Sequence, residues 1–253
     1  MVEKIGVIGL GNIGKPLFEA LKYYHKDVVG FDKFKKSDNW NDILKTEVVF
    51  ICVPTTTSKN GRLDMSIVKE VLDRLNNDNY KGVVTIKSTL GLGFIDEFLK
   101  NTKLKIVVFP EWLREVSAFP DTLCPELTVL GGPNDLIDIV LEACCWTKKK
   151  EVNIVKPGDA IMIKLAANAL ASTKISFANQ IMLISQSYNL DYKTIMNVLM
   201  KDPRTSPRYL IPGSEYGGHC LPKDIKELSH QDMDILFKAV EKVNETIKKM
   251  TKK

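Results

Sequence analysis

Residues 5–14 read Ile-Gly-Val-Ile-Gly-Leu-Gly-Asn-Ile-Gly, an apolar run that passes directly into three glycines spaced as G-x-G-x-x-G. A pattern of helical period follows, to about Tyr24. The spacing alone is weak, but a strand before it and a helix after it make it a specific signal for binding a dinucleotide. Gly9 would permit the tight turn, Gly11 the approach of the backbone to a pyrophosphate, and Gly14 close packing of helix on strand.

Asp32 stands directly after the second apolar run, residues 28–31. An acid at this place hydrogen-bonds the adenosine ribose and repels a 2′-phosphate, which favours NAD over NADP. Lys33, Lys35 and Lys36 follow, and they leave some tolerance of NADP open. The plainer alternative is that Asp32 is a turn residue at the end of a strand.

Short apolar runs alternate with helical patterns through the first part of the chain, which is typical of buried parallel strands joined by helices. The predicted strands are residues 5–8, 28–31, 48–53, 83–86, 106–109, 127–130 and 152–155. The sequence therefore predicts an α/β fold that begins with a doubly wound parallel sheet of Rossmann type.

The pattern changes at residues 156–158, Lys-Pro-Gly, and no Pro or Gly occurs from residue 159 to residue 188. Apolar residues recur there at helical intervals, so we expect a helix of about 30 residues, ~45 Å long. A helix of this length is typical of a domain spine or a dimerisation element. We predict an NAD-binding domain at residues 1–156 and an all-α central domain at residues 157–253.

The composition is that of an ordinary globular protein, with 44% hydrophobic and 26% charged residues and a net charge of +5. This mild excess suits an acidic small molecule, and the absence of a basic stripe with interleaved aromatics argues against nucleic acid. Neither a long apolar span nor a signal-peptide pattern is present, so we expect a cytoplasmic protein off the membrane. Five irregularly spaced cysteines predict reduced thiols and no metal site.

Residues 217–224 read Gly-Gly-His-Cys-Leu-Pro-Lys-Asp, an arrangement that makes little sense as core. Two glycines free the backbone for an unusual path. Cys220 would precede a helix starting at Leu221, whose N-terminus favours a negatively charged sulfur. The segment predicts a reactive thiol, and the alternative is a buried, inert cysteine. His219 is interpreted as a loop residue, and its contact with a substrate stays open.

Several segments, taken in order, resemble the UDP-glucose/GDP-mannose dehydrogenase family over essentially the whole chain. They are residues 9–14, Cys-Val-Pro-Thr at 52–55, Lys-Ser-Thr at 87–89, Pro-Glu-Trp-Leu-Arg-Glu at 110–115, Asp121, Pro125, Lys-Leu-Ala-Ala-Asn at 164–168, Asp-Pro-Arg at 202–204 and residues 217–224. The resemblance implies oxidation of a sugar C6 alcohol to a carboxylate in two NAD-dependent steps, as in the conversion of UDP-glucose to UDP-glucuronate.

The resemblance also implies roles for single residues. Cys220 would attack the aldehyde intermediate, Lys164 and Asn168 would stabilise the oxyanion, and Asp224 would handle a proton through water. Glu115 would assist thioester hydrolysis, and Thr89 would line the reaction centre. The cofactor residues would be Gly9, Gly11, Asn12, Ile13, Gly14, Asp32, Val53, Pro54, Thr55, Thr89 and Glu111. The substrate residues would be Trp112, Leu113, Arg204, Tyr209 and Gly217.

Each role has a structural alternative. Lys164 and Arg204 could be surface charges, Asn168 could serve helix packing, and Glu111 and Glu115 could be solvated or helix-capping acids. The sequence departs from the family at Thr56, Leu127, Ile161 and Gln180. It also stops where family members continue into a third, nucleotide-sugar-binding domain. We expect either a compact natural version that lacks this domain or a fragment of a longer protein.

Three functions stay open at this point. The first is a nucleotide-sugar 6-dehydrogenase acting on a UDP-sugar and forming a homodimer through the long helix. The second is a two-domain dehydrogenase of a smaller alcohol, a hydroxy acid or sugar phosphate, which would not need Cys220. The third is a non-catalytic NAD-binding assembly subunit.

Overall fold

The computed structural model describes residues 2–147 and 151–251. The chain forms two compact units: unit 1 comprises residues 1–56 and 64–164, and unit 2 comprises residues 57–63 and 165–253. The domain ranges predicted from the sequence, 1–156 and 157–253, divide the chain only once. These two ranges remain a proposal. In the compact units, residues 57–63 belong to unit 2 although they lie within the sequence range of unit 1.

Unit 1 contains a seven-stranded sheet in the order β2-β1-β3-β4-β5-β6-β7. The strands are β1 (Lys4–Ile8), β2 (Asp27–Phe31), β3 (Val48–Ile51), β4 (Val83–Ile86), β5 (Lys105–Val108), β6 (Thr128–Gly131) and β7 (Val152–Val155). Every residue of β3 and β4 is buried. Continuous apolar runs are the expected sequence of strands covered on both faces, so the predicted Rossmann sheet is confirmed.

The helices of unit 1 separate these strands along the chain. They are α1 (Gly14–Tyr24), α2 (Trp40–Ile43), α3 (Ser66–Asn77), α4 (Phe94–Leu99), a 3₁₀ turn (Glu115–Ser117), α5 (Ala118–Leu123) and α6 (Asn134–Ala143). The largest buried cluster includes Val7, Leu17 and Phe50, with Val140 from α6. This cluster packs α1 and α6 against the strands and fixes the glycine turn at the carboxyl end of β1.

The last two strands differ from the prediction of an all-parallel sheet. β6 is antiparallel to β5 through the single pair Val108–Gly131, and β7 is parallel to β6. The apolar runs predicted both strands, but an apolar run encodes burial and not direction. The connection from β5 to β6 contains only the 3₁₀ turn and the short helix α5. Such a connection suffices because an antiparallel neighbour needs no long crossover helix.

The long helix α7 (Pro157–Ser187) has 31 residues, which confirms the predicted length. Unit 2 continues with α8 (Tyr192–Leu199), α9 (Leu221–Ser229) and α10 (Leu236–Thr251). Asp191 caps α8 by accepting hydrogen bonds from the backbone N–H groups of Lys193 and Thr194. Apart from the bridge within residues 57–63, the regular secondary structure of the unit's described residues is helical, in agreement with the predicted helical central domain.

That segment, residues 57–63, forms a hairpin that the sequence did not predict. Thr57 and Leu63 make an isolated antiparallel bridge, and the N–H of Gly61 donates to the carbonyl of Ser58 at the turn. Gly61 has a φ of +85°, a conformation that favours glycine. We call this segment the 57–63 hairpin.

Among the described residues, no helix combines the length and the apolar character needed to cross a lipid bilayer.

Candidate functional site

The glycine turn follows β1, and its three glycines lie in different surroundings. Gly9 has a φ of +90°, and a Cβ there would lie 2.8 Å from the carbonyl oxygen of Cys52. A Cβ on Gly14 would lie 1.8 Å from the carbonyl oxygen of Gly9, whereas one on Gly11 would meet nothing within 4 Å. The turn therefore needs Gly9 and Gly14 for its own packing, and Gly11 leaves open space outside it.

Asp32, after β2, is tied to the glycine turn. Its Oδ2 accepts a hydrogen bond from the N–H of Leu10 at 2.8 Å, and its Oδ1 accepts one from the N–H of Phe34 at 2.9 Å. Burial alone would raise the pKa of Asp32, but these backbone hydrogen bonds and the nearby charge of Lys35 hold it below its usual value. The carboxylate is thus ionised at neutral pH, with lone pairs left for another donor.

These residues fit a dinucleotide. Helix α1 begins at Gly14 with no side-chain cap and no acidic residue in its first turn, so its first N–H groups can serve an anion. Gly11 and Asn12 are exposed beside that helix end. Gly9, Gly11 and Gly14 would hold the pyrophosphate of NAD, and Asp32 would hold the ribose.

Glu111 lies in a buried ion pair that the sequence did not predict. Its Oε2 lies 2.9 Å from the Nζ of Lys87, and both side chains are buried. Its Oε1 accepts hydrogen bonds from the N–H groups of Trp112 and Leu113. The ammonium of Lys87 also lies over the ring of Phe109, 3.6 Å from its centroid. Glu111 is therefore not a solvated acid; a lysine directly after an apolar strand was the signal for this pair.

Glu115 meets the glycine turn directly. Its Oε1 accepts a hydrogen bond from the Nδ2 of Asn12 at 2.8 Å, and both side chains are exposed. The 3₁₀ turn presents Glu115, so one residue of the predicted cofactor set and one of the predicted catalytic set are brought together. Nothing in the sequence spacing indicated this pair, because 103 residues separate the two.

The other predicted residues of unit 1 differ in exposure. Thr55 is buried, Pro54 is exposed, and Ile13, Val53 and Thr89 are half-buried. The hydroxyl of Ser88 donates to the carbonyl of Val53 at 2.6 Å and holds residues 52–55 against the end of β4.

Lys164, on α7, lies over the indole of Trp112. Its Nζ is 4.9 Å from the ring centroid, within the range of a cation–π interaction. Lys164 is half-buried, so the alternative of an ordinary surface lysine is not what the structure shows. A predicted catalytic residue and a predicted substrate residue therefore contact each other within unit 1.

The cysteine segment places Cys220 at the N-terminus of α9. Cys220 is the residue before the first helical position, and its side chain is exposed. Gly218 has a φ of +74°, and a Cβ on Gly217 or Gly218 would meet nothing within 4 Å. The predicted helix start at Leu221 is confirmed, and the alternative of a buried cysteine is wrong.

Asp224 is fully buried in the first turn of α9 and has two side-chain partners. Its Oδ2 accepts a hydrogen bond from the Nδ2 of Asn168, on α7, at 2.6 Å. Its Oδ1 accepts one from the Nζ of Lys223 at 2.6 Å. The structure thus brings together two residues of the predicted catalytic set and adds Lys223, to which the sequence analysis gave no role.

Two of the remaining cysteines have the opposite environment. Cys52 and Cys144 are buried in unit 1, and burial raises the pKa of each thiol to about 12. Thiols of this kind are protonated and inert at neutral pH. Cys220 differs from them in being exposed beside a helix N-terminus.

The predicted substrate residues of unit 2 lie on an irregular, exposed segment. The guanidinium of Arg204 is ion-paired with the carboxylate of Asp202, and Tyr209 has a φ of +71°. The guanidinium of Arg208 lies 5.8 Å from the ring centroid of Tyr209. Their roles, with that of exposed Gly217, stay predictions. Within residues 2–147 and 151–251, no group of three metal-ligating side chains is arranged to hold an ion.

Two family descriptions match the chain. Residues 33–144 match the NAD-binding domain of the UDP-glucose/GDP-mannose dehydrogenase family, and residues 158–246 match the central domain of the same family. The chain belongs to this family. NAD is accordingly its cofactor, and the family is one of oxidoreductases.

Individual relatives agree with this membership. The chain is 29% identical to the GDP-mannose 6-dehydrogenase of Pseudomonas aeruginosa, over 90% of this chain and 56% of that protein. It is 30% identical to the UDP-glucose 6-dehydrogenase of Rickettsia bellii, over 85% of this chain and 52% of that protein. The chain thus spans about half the length of these curated relatives.

A solved structure shows the same fold. The UDP-D-ManNAc dehydrogenase of Pyrococcus horikoshii superposes with a TM-score of 0.87 at 21% identity, over 98% of this chain and 69% of that one. At this identity the likeness concerns the fold.

Proposed function

We propose that the protein is an NAD-dependent nucleotide-sugar 6-dehydrogenase that oxidises the sugar C6 alcohol to a carboxylate, as in the conversion of UDP-glucose to UDP-glucuronate. The observation that carries the proposal is the cysteine segment. An exposed thiol starts α9, and one turn later the buried Asp224 is hydrogen-bonded to Asn168 of α7. A dehydrogenase of a simple alcohol has no need of this arrangement.

The thiol makes the second oxidation possible. After the first oxidation yields an aldehyde, the sulfur of Cys220 adds to C6 and forms a tetrahedral thiohemiacetal. Loss of a hydride from that carbon leaves a thioester, which water cleaves to the carboxylate and the free thiol. A nucleophile of this kind divides a difficult reaction into two easier ones.

Lys164 and Asn168 supply donors for the oxyanion of the tetrahedral adduct. An ammonium and an amide N–H can stabilise charge that develops in the transition state. Asp224 holds the amide of Asn168 through the 2.6 Å hydrogen bond and would exchange a proton through water. Lys223, bonded to the other carboxylate oxygen, keeps the buried charge of Asp224 paired.

A bound NAD would accept one hydride, so two molecules of NAD, bound one after the other, would take the two hydrides. The chain would hold each NAD through Gly9–Gly14, Asp32, residues 53–55 and Thr89. Glu111 keeps the segment after β5 in place through its ion pair with Lys87. Glu115 would orient the water for thioester hydrolysis, and its carboxylate is already held by Asn12.

We propose a UDP-sugar as substrate, with Trp112, Leu113, Arg204, Tyr209 and Gly217 as its contacts. Trp112 supports this role because its ring contacts the ammonium of Lys164, a residue of the proposed reaction centre. An aromatic side chain also offers a large apolar face to a substrate. The relatives named above act on UDP-glucose or GDP-mannose, so the choice between uridine and guanosine is part of the test.

We also propose a homodimer through α7. Leu170, Phe177 and Ile184 are 60%, 47% and 46% exposed. Residues seven apart return to nearly the same side of a helix, so these three form an apolar stripe. Such a stripe is typical of a helix that packs against a partner. Measurement of the mass in solution, with Phe177→Glu as the disrupting variant, tests this point.

The central experiment measures NADH released per molecule of nucleotide sugar. UDP-glucose, UDP-N-acetyl sugars and GDP-mannose are compared, and the proposal expects two NADH per sugar with at least one of them. Cys220→Ser should stop after the first oxidation, because a serine hydroxyl stays protonated at neutral pH and is then a weak nucleophile. Cys145→Ser, which changes another exposed thiol, is the matched control and should keep both oxidations.

Three outcomes would contradict the proposal. One NADH per sugar in the wild-type protein would rule out the two-step reaction. Full activity of Cys220→Ala on a hydroxy acid or sugar phosphate would favour a dehydrogenase of a smaller alcohol. Binding of NAD without turnover on any of these compounds would favour a non-catalytic subunit.

A further inference from the structure

The carboxylate of Glu227, on α9, is buried and fully engaged by the 57–63 hairpin. The side chain is 1% exposed. Its Oε1 accepts hydrogen bonds from Nε and Nη2 of Arg62 at 3.2 and 3.0 Å, and its Oε2 accepts one from the N–H of Leu63 at 2.8 Å. Gln231 also approaches Oε1, at 3.4 Å. We call the contacts of Arg62 and Leu63 with Glu227 the clasp.

The turn of the hairpin is seated on the end of the same helix. A Cβ on Gly61 would lie 2.3 Å from the ring of His230, the residue after α9. Gly61 also has a φ of +85°. Only glycine lets the turn come this close, so the hairpin packs against α9 at its middle and at its C-terminus.

Two anchors on one face of α9 fix its rotation about its own axis. Asp224, in the first turn, is bonded to Asn168. Glu227 follows three residues later on the same face and is bonded to the hairpin. Cys220 immediately precedes the helix, so a rotation of α9 would move its sulfur.

We infer that Arg62 and Glu227 are positioning residues for Cys220: the clasp holds α9 in the rotation that directs the thiol for the second oxidation. This inference rests on the proposed function. Neither Arg62 nor Glu227 belongs to the proposed substrate or cofactor residues, and both would act through the orientation of the helix.

Stability alone does not explain the choice of a buried charge. An apolar side chain at residue 227 would cover the same hairpin, and replacing buried ion pairs with apolar residues is often neutral or stabilising. A two-pronged guanidinium and a backbone N–H on one carboxylate instead define a single geometry. The clasp therefore favours one orientation of α9, which is what a helix carrying a nucleophile requires.

The test uses the full chain and three changes to the clasp. Glu227→Gln removes the charge, Gly61→Ala unseats the turn, and Arg62→Lys is the conservative change that keeps the charge. Lys69→Gln, which removes an exposed ion pair on α3, is the matched control for charge. Ile247→Val, a buried change on α10, is the control for a small loss of stability.

Two readouts are needed. NADH per sugar and free aldehyde report the second oxidation, and the rate at which iodoacetamide alkylates Cys220, read from its peptide by mass spectrometry, reports the thiol without any turnover. Misplacement of a reacting group by about 1 Å can cost on the order of a hundredfold in rate. We expect Glu227→Gln and Gly61→Ala to slow the second oxidation at least tenfold, with the KM for NAD unchanged.

We expect the alkylation rate of Cys220 to fall about threefold or more in the same two variants, because the sulfur loses an ordered helix N-terminus. Arg62→Lys should recover most of both rates, and the two controls should match the wild type. Unchanged alkylation and an unchanged second oxidation in folded Glu227→Gln and Gly61→Ala would overturn the inference. Equal losses of both rates in Ile247→Val would also overturn it, because they would show that the clasp acts only by stabilising the fold.

The two proposals fail separately. A wild-type protein that reduces no NAD with any nucleotide sugar refutes the proposed function. The alkylation rates of Cys220 then still decide whether the clasp controls the thiol.

Discussion

The glycine turn and the cysteine segment are both glycine-rich loops that lead into a helix, but they are held in different ways. The turn from Gly9 to Gly14 is fixed by its own backbone and by the strand beside it, where a Cβ on Gly9 or Gly14 would collide. The cysteine segment has open space around Gly217 and Gly218. The helix that follows it, α9, is held by side chains that bond to Asn168 and Arg62.

The difference separates two kinds of site. A loop that binds a cofactor through backbone N–H groups must itself be rigid, and the residues that make it rigid lie within the loop. A loop that presents a nucleophile can be open, provided that the helix behind it is fixed. We therefore expect substitutions in the first loop to act on folding and cofactor binding, and substitutions behind the second to act on chemistry.

The largest effect should come from Gly14→Ala. Its Cβ would lie 1.8 Å from the carbonyl of Gly9, so strand and helix must separate. We expect a loss of about 3 kcal/mol in the free energy of unfolding, or a fall of about 6 °C or more in Tm. Thermal unfolding followed by circular dichroism measures this.

Gly11→Ala is the matched control, because a Cβ there meets nothing within 4 Å. It should leave Tm unchanged and weaken NAD binding, since the added methyl group occupies the space that the pyrophosphate would approach. A large loss of stability in Gly11→Ala, or none in Gly14→Ala, would contradict the comparison.

Asp224→Asn should break the chemistry of the second region while sparing the first. An amide offers an N–H group to Asn168 or Lys223, where both now donate to a carboxylate. We expect the second oxidation to slow by about a hundredfold, within the usual range for a group that handles a proton. NAD binding, measured by calorimetry, should remain the same.

Asp234→Asn provides the control for this change. Asp234 caps α10 through the N–H of Phe237, so its loss should lower stability slightly and leave the rates intact. Normal turnover by Asp224→Asn would remove Asp224 from the proposed chemistry.

Asp32→Asn should have an intermediate effect confined to the first region. The carboxylate accepts two backbone hydrogen bonds, from Leu10 and Phe34, and would accept the ribose hydroxyls through its remaining lone pairs. We expect the Kd for NAD to rise about tenfold, or about 1.4 kcal/mol, and the preference over NADP to shrink. If the ratio of the Kd values for NADP and NAD were unchanged, Asp32 would be only a turn residue.

The pH dependence of this carboxylate has a definite sign. Because its pKa is lower in the folded chain than the ordinary value, its contribution to stability is present above the ordinary pKa. That contribution is lost as the pH falls through the lower, folded-state value. Acid unfolding of the wild type should therefore be steeper than that of Asp32→Asn.

The smallest effect should come from Asn12→Ala. The hydrogen bond from Asn12 to Glu115 is exposed, and a bond of this kind contributes about 0.5–1.5 kcal/mol. We expect the thioester on Cys220 to persist about threefold longer, as seen by intact-protein mass spectrometry after mixing with substrate and NAD. Asn39→Ala, whose side chain makes no capping bond to α2, should behave as the wild type.

The sequence predicted the first region well because its determinants are local. The run into Gly9, the spacing to Gly14 and the acid at residue 32 are all read along one stretch, and the structure gives each glycine a distinct reason. The length of α7 was equally accessible, since 30 residues without Pro or Gly leave few alternatives to a helix.

The second region could be predicted only in part. The residue types around Cys220 indicated a reactive thiol, but the bond from Asn168 to Asp224 spans 56 residues and the clasp spans 165. Periodicity cannot place such partners, because each arises from tertiary packing. The antiparallel direction of β6 could not be predicted either, because an apolar run specifies burial and not direction.

The 57–63 hairpin also bears on how the protein is made. Its residues leave the ribosome well before α9, so Arg62 cannot form its ion pair until Glu227 has been synthesised. Unit 2 therefore combines its helices with a segment that is synthesised before any of them. A chain cut between the two predicted domains, and expressed from residue 157 onward, would contain Cys220 but would lack the segment that α9 is built to receive.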